Sequence, residues 1–313
     1  MFMAVIGHFD FYISIAACTP KAEAYLRHFM LNLPRGYKLV DKTDVAWQLV
    51  LITPDFSPLH ASDLRSDLRN KLWAGYHQIW KHMDSAWNGG TLISLDNGEI
   101  NDGQSVFVQL VPENVTSKKE SALLANLLLS LNKSWMLQTG ALPVHASAVS
   151  YKNRGYLFTG PSGAGKTTIA LLSMGISDSI LHDEKIFVLP ENGTYQLVGS
   201  PDYNRRRWPR DYQEKKEIPE TGIPINPDHK VPLTAVFVLR QSTSDYLLPL
   251  SSRSLARALI SGFLDVSKVL KTSVDTLHTI RSLCELARYI PGYELNFRKN
   301  SNFYKLIDKK FPA

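Results

Sequence analysis

Residues 160–167 read Gly-Pro-Ser-Gly-Ala-Gly-Lys-Thr, a complete GxxxxGK[ST] pattern. Each type has a physical reason to stand where it does. Glycines allow successive backbone N–H groups to curl around a phosphate, and the helix that follows adds partial positive charge at its N-terminus. Gly160, Ser162, Gly163, Ala164, Gly165, Lys166, Thr167 and Thr168 are therefore the candidate nucleotide-binding residues. Lys166 would neutralise the β- and γ-phosphates, and the Thr167 hydroxyl would ligate Mg²⁺. The setting agrees: apolar Tyr-Leu-Phe-Thr (156–159) precedes the loop, and a helical run, 167–174, follows it. Such a loop implies a nucleotide but not a reaction.

The next acids are more informative. Asp183 and Glu184 lie in Ile-Leu-His-Asp-Glu-Lys-Ile (180–186), with Asp183 seventeen residues after Lys166. The chain thus runs loop, one helix, one strand and then an acidic pair. Either acid could bind the metal while the other accepts a proton from an attacking hydroxyl. Upstream, His145 interrupts an otherwise apolar strand, fifteen residues before Gly160. It is either a satisfied structural histidine or a partner of the γ-phosphate.

Taken together, His-Ala-Ser-Ala-Val (145–149), the loop 160–168 and the acidic pair resemble the HPr serine kinase/phosphorylase family, related to phosphoenolpyruvate carboxykinase. The closing stretch 286–295 resembles the strand that ends many kinases of this wider group. The resemblance covers about residues 135–300. It implies an ATP- and Mg²⁺-dependent kinase acting on a hydroxyl, with GTP or pyrophosphate as alternative donors. It makes Asp183 the general base, places Glu184 with Thr167 on the metal, where Asp183 is a further candidate ligand, and sets His145 near the transferred phosphate. Residues 199–210 depart from the HPr-kinase signature, and the N-terminal third does not resemble that family's regulatory domain. The pattern is closer to divergent HPr-kinase-like proteins, some of which phosphorylate lasso peptides. The acceptor implied is a peptide, protein or small molecule bearing a hydroxyl. HPr kinases assemble as hexamers, so a homo-oligomer is one expected state.

These residues need elements to hold them. Residues 9–17 and 45–52 are strand-like, with a helix from Thr19-Pro20 to about residue 33. A helix-like stretch, 64–87, carries Trp73, Tyr76, Trp80 and Trp87 on one face, the mark of a core stripe. Asn97-Gly98 and Asp102-Gly103 are hairpin signals before a strand at 105–111. A helix at 117–138 bridges to the second half. There, strands at 144–150 and 156–159 flank a turn at Asn153-Arg154-Gly155. A helix at 166–174 stops at Gly175, a strand runs over 179–189, and Asn192-Gly193 turns it back into 195–198. Residues 202–232 read as a long loop, 233–239 as a buried strand, and 255–271 and 275–289 as helices. The expectation is an α/β protein: an HPr kinase-type catalytic domain with a mixed sheet, 117–313, preceded by a smaller α+β domain, 1–116.

Charge separates the same halves. Of 35 Lys+Arg and 29 Asp+Glu, residues 1–116 hold 9 and 12, and residues 117–313 hold 26 and 17. The positive excess lies with the glycine loop and suits an anionic partner. Arg205, Arg206, Arg207, Arg210, Lys215 and Lys216 fall within twelve residues. One of them, Arg206 by choice, is a candidate for stabilising transferred-phosphate charge. No nucleic-acid motif is present, no apolar run is long enough to span a membrane, and no basic region precedes the apolar N-terminus. Two distant cysteines, Cys18 and Cys284, suit a reduced cytoplasmic chain.

Overall fold

The computed structural model describes residues 2–8, 11–17, 20–31, 33, 36–41, 47–52, 92–94, 105–110, 128, 132, 135–137, 139–201, 225–267, 276–300 and 302–312. They fall into two compact units, Met1–Asn132 and Lys133–Ala313. The expected boundary at 116/117 lies outside the described residues, as do the aromatic stretch 64–87 and most of the helix expected over 117–138.

In the first unit, alternating apolar residues build a six-stranded mixed sheet. β1 (Phe2–His8) and β2 (Phe11–Ala17) form an antiparallel hairpin, where the sequence suggested one strand over 9–17. α1 (Pro20–Met30) then carries the chain over to β4 (Trp47–Ile52), parallel to β2. The order is completed by β3 (Lys38–Leu39), β5 (Leu92–Ser94) and β6 (Ser105–Leu110), as β3-β1-β2-β4-β6-β5. Ile13, Ile15, Leu26, Phe29, Leu49 and Leu51 are fully buried. Buried His8 meets Asn132 through Nδ1 at 3.2 Å, and the Tyr37 hydroxyl donates to the Leu128 carbonyl. Helical residues 128 and 132 are thereby tied to this sheet.

The second unit is a large mixed sheet with helices on both faces. β7 (Leu142–Tyr151) and β8 (Arg154–Thr159) form a hairpin. Its turn is Lys152-Asn153, both at positive φ, one step earlier than the Asn153-Arg154-Gly155 expected. After β8 come α2 (Lys166–Leu172), β9 (Ser179–His182), β10 (Lys185–Glu191) and β11 (Thr194–Gly199). β12 (Val231–Gln241), β13 (Tyr246–Pro249), α3 (Ser252–Ser267), α4 (Thr276–Tyr289), β14 (Gly292–Phe297) and α5 (Tyr304–Lys310) complete it.

The strand order is β11-β10-β7-β8-β12-β14-β13, and β11 also pairs with β12. The pairings of β7, β8, β12, β11 and β10 therefore run in a closed circuit. β8, β12 and β14 are parallel, so their carboxyl ends lie along one rim. The glycine loop follows β8 at that rim. Both sheet faces are covered, which is why these strands read as continuous apolar runs. Val144, Leu157 and Val236 pack with Leu259 and Phe263 of α3 and Leu283 of α4. Phe158, Phe237 and Leu295 pack on the other face with Ile169 of α2 and Ile307 of α5.

The strand expected over 179–189 is interrupted. β9 pairs with 148–150 of β7 and β10 with 142–145, and the register shifts by one residue at Leu181. Asp183 and Glu184 sit at the break between the two strands. The long loop expected over 202–232 is shorter at its end, because β12 already begins at Val231.

Candidate functional site

Antiparallel pairing of β7 with β8 sets Ala146 opposite Thr159, so His145 lies beside the start of the glycine-rich loop. On the other flank of β7, His145 pairs with Lys185. The Ala146 N–H donates to the Glu184 carbonyl at 3.1 Å. Three strands thus bring the acidic break, His145 and Gly160 into one lateral row at the sheet rim.

The loop itself is held by conformations that suit glycine. Gly160, Gly163 and Gly165 have φ of 154°, 79° and 109°. A Cβ on Gly165 would fall 2.7 Å from Cζ of Phe297, the last residue of β14. Gly163 has open space where its Cβ would be, and its carbonyl accepts a hydrogen bond from Gln241 Nε2 at 2.8 Å. The Ala164 N–H donates to the Pro161 carbonyl, while Ser162 is exposed. Thr167 and Thr168 occupy the first turn of α2, both half-buried.

Lys166 opens α2 and is only 7% exposed. Its Nζ donates to the carbonyls of Gly160 at 2.8 Å and Pro161 at 3.1 Å. Burial pushes the ammonium below its usual lysine range, and the negative charges of Asp265 and Glu184 partly oppose that push. The ammonium is thus a buried cation held by two loop carbonyls, with two carboxylates in its field.

His145 stands between the same two acids. Its Nε2 is 3.9 Å from Glu184 Oε1, and its Nδ1 is 3.9 Å from Asp265 Oδ2. The structure therefore gathers His145, Lys166 and Glu184, with Asp265 added. Asp183 has a different environment. It is 8% exposed, and its Oδ1 is 3.5 Å from Nδ1 of buried His182. That Nδ1 also accepts the N–H groups of Glu184 at 3.0 Å and Lys185 at 3.3 Å, which pins the break between β9 and β10. An Nδ1 that accepts places the ring proton on Nε2. Arg206 and the rest of the basic cluster lie outside the described residues.

The donor set suits Mg²⁺, which takes one or two carboxylates plus substrate phosphates rather than an all-protein cage. Thr167 at the helix start and Glu184 within the field of Lys166 are of the required types. Among the described residues, no three His, Cys, Asp or Glu side chains converge as a metal cage.

Three residues escaped sequence reasoning. Asp265 is the lone acid of α3 (Ser252–Ser267), and that isolation was its only signal. Gln241, two residues past an apolar run, and Phe297, ending the last strand, had none. Cys284 carries a free, half-buried thiol. Among the described residues, no helix is long and apolar enough to cross a membrane.

No curated protein matches the sequence. Among solved structures, the HPr(Ser) kinase/phosphatase from Coxiella burnetii aligns over 54% of this chain and 95% of its own, at 10% identity and a TM-score of 0.28. A family model described as "SynChlorMet cassette protein ScmC" matches residues 112–312. That stretch takes in the whole second unit except Ala313, including His145, the glycine loop, the acidic break and Asp265, so the chain belongs to the SynChlorMet cassette protein ScmC family.

Proposed function

We propose that the second unit is an ATP- and Mg²⁺-dependent phosphotransferase of HPr-kinase-like type. It moves the γ-phosphate to a hydroxyl, that of a Ser or Thr in a peptide or protein first, with lasso-peptide-type tailoring or a small-molecule acceptor as variants. The observation that carries this reading is the convergence of buried Lys166, His145 and Glu184 at the glycine loop on the carboxyl rim of the sheet.

In this reading the N–H groups of 160–168 and Lys166 Nζ bind the phosphates, the lysine exchanging its two loop carbonyls for phosphate oxygens. Thr167 and Glu184 would hold Mg²⁺, with Asp183 its further candidate ligand, and the ion would supply positive charge against the phosphates. Asp183 accepts the acceptor's hydroxyl proton as the acceptor oxygen forms its bond to γ-phosphorus. The bond from γ-phosphorus to the bridging oxygen breaks, and ADP leaves with that electron pair. His145 faces the transferred group, and Arg206 supplies further positive charge.

The test is transfer of labelled γ-phosphate to a panel of Ser/Thr peptides and hydroxyl compounds. Lys166→Met should abolish nucleotide binding, whereas Asp183→Asn should bind nucleotide and lose labelling. The depth of Asp183 favours one second reading, a nucleotide-sensing module with little or no transfer. Under it, wild type binds ATP and labels nothing on the panel.

A further inference from the structure

Helix α3 crosses the β7–β8 hairpin at close range because residue 262 is glycine. A Cβ there would lie 3.0 Å from Val144 Cγ1 and 3.1 Å from Thr159 Oγ1. Thr159 also donates to the His145 carbonyl at 3.3 Å. Asp265 follows Gly262 by three residues, the spacing that keeps two positions on neighbouring parts of one helix face. The close crossing therefore delivers the carboxylate to His145, the imidazole beside the start of the glycine loop. The ring has a carboxylate on each side, Asp265 at Nδ1 and Glu184 at Nε2. Both carboxylates are about a third exposed, at 38% and 32%, and both also act on Lys166.

We propose that Asp265 is a positioning residue of the site. It engages Nδ1 of His145 and so turns Nε2 toward Glu184 and the phosphate end of the loop. At 3.9 Å the contact is too long for a hydrogen bond in this state. Contacts of this kind tighten when substrate fills a site. An acid behind a histidine fixes which ring nitrogen carries the proton and which one is presented forward. Glu184, from the acidic break, stands at the other nitrogen, Nε2. The functional consequence rests on the phosphotransfer reading above, but the orientation of the ring does not.

The experiment has two arms that fail separately. The first records ¹⁵N-histidine spectra of the full chain at a single pH, free and with Mg²⁺ and a non-hydrolysable ATP analogue, with His145 assigned through His145→Gln. Asp265→Asn should change the His145 ring-nitrogen shifts, Asp265→Glu should keep them near wild type, and unchanged shifts in Asp265→Asn overturn the proposal. The second arm measures ATP turnover with acceptor. Asp265→Asn should lower kcat about ten- to a hundredfold with KM for ATP and the melting temperature little changed, and Asp265→Glu should recover much of it. Full kcat in Asp265→Asn overturns the proposal. If wild type transfers no phosphate, the functional reading above falls, and the spectra alone decide whether Asp265 sets the ring.

Discussion

Lys166 is a buried ammonium whose pKa is lowered by its burial. Its proton is harder to keep in the folded chain than in the unfolded one, because burial outweighs the opposing carboxylates. Just below the ordinary lysine pKa, the unfolded state then binds more protons, so this residue makes stability rise with pH across that alkaline window. Lys166→Met should remove that rise. Denaturant titrations from pH 8 to 10 would show it. Tyr304 acts with the opposite sign. Burial raises its phenol above the usual range, so the unfolded chain loses that proton first and stability falls as pH climbs past about 10. Tyr304→Phe should flatten that limb. At the loop, Gly165→Ala meets both a φ of 109° and the ring of Phe297. Left-handed strain and overpacking together should cost about 3 kcal/mol, read as a lower urea midpoint.

At the level of elements, the site depends on how closely α3 lies on the β7–β8 hairpin. Gly262→Ala should push the helix outward by a few tenths of an ångström, cost about 1–2 kcal/mol, and lower turnover through His145 without altering any group at the loop. Turnover unchanged at the same loss of stability would show that the spacing does not matter. This is also where the limits of sequence reading are clearest. The strand–loop–helix around Lys166 was legible because glycine spacing and apolar flanks are local signals. His145 was legible as a position in a strand, but its neighbours were not. Pairing across β10, β7 and β8 decides them, and long-range register leaves no local trace. The β9–β10 break was missed because the apolar ends of 179–189 read as one strand across the polar run His-Asp-Glu-Lys (182–185), and composition does not show that His182 accepts backbone N–H groups there. Asp265 comes from an element that joins the site only by crossing over it.

The whole molecule holds two separately packed units, of which only the second carries the glycine loop. A ligand that binds only the folded state stabilises it by about 2.7 kcal/mol at a hundred times its Kd. ATP with Mg²⁺ should therefore raise the melting of the second unit and leave the first unmoved, as two-probe calorimetry and fluorescence would record. Equal shifts in both would mean that they unfold as one. The second unit has a further property. The chain leaves its sheet where the Ser200 N–H donates to the Lys185 carbonyl, on the strand position facing His145, and re-enters where Asn226 N–H donates to the Ile180 carbonyl. Both anchors are main-chain hydrogen bonds, indifferent to the side chains they carry. The backbone alone therefore clamps both flanks of the acidic break, so side-chain replacements at Ser200 or Asn226 should leave its position unchanged.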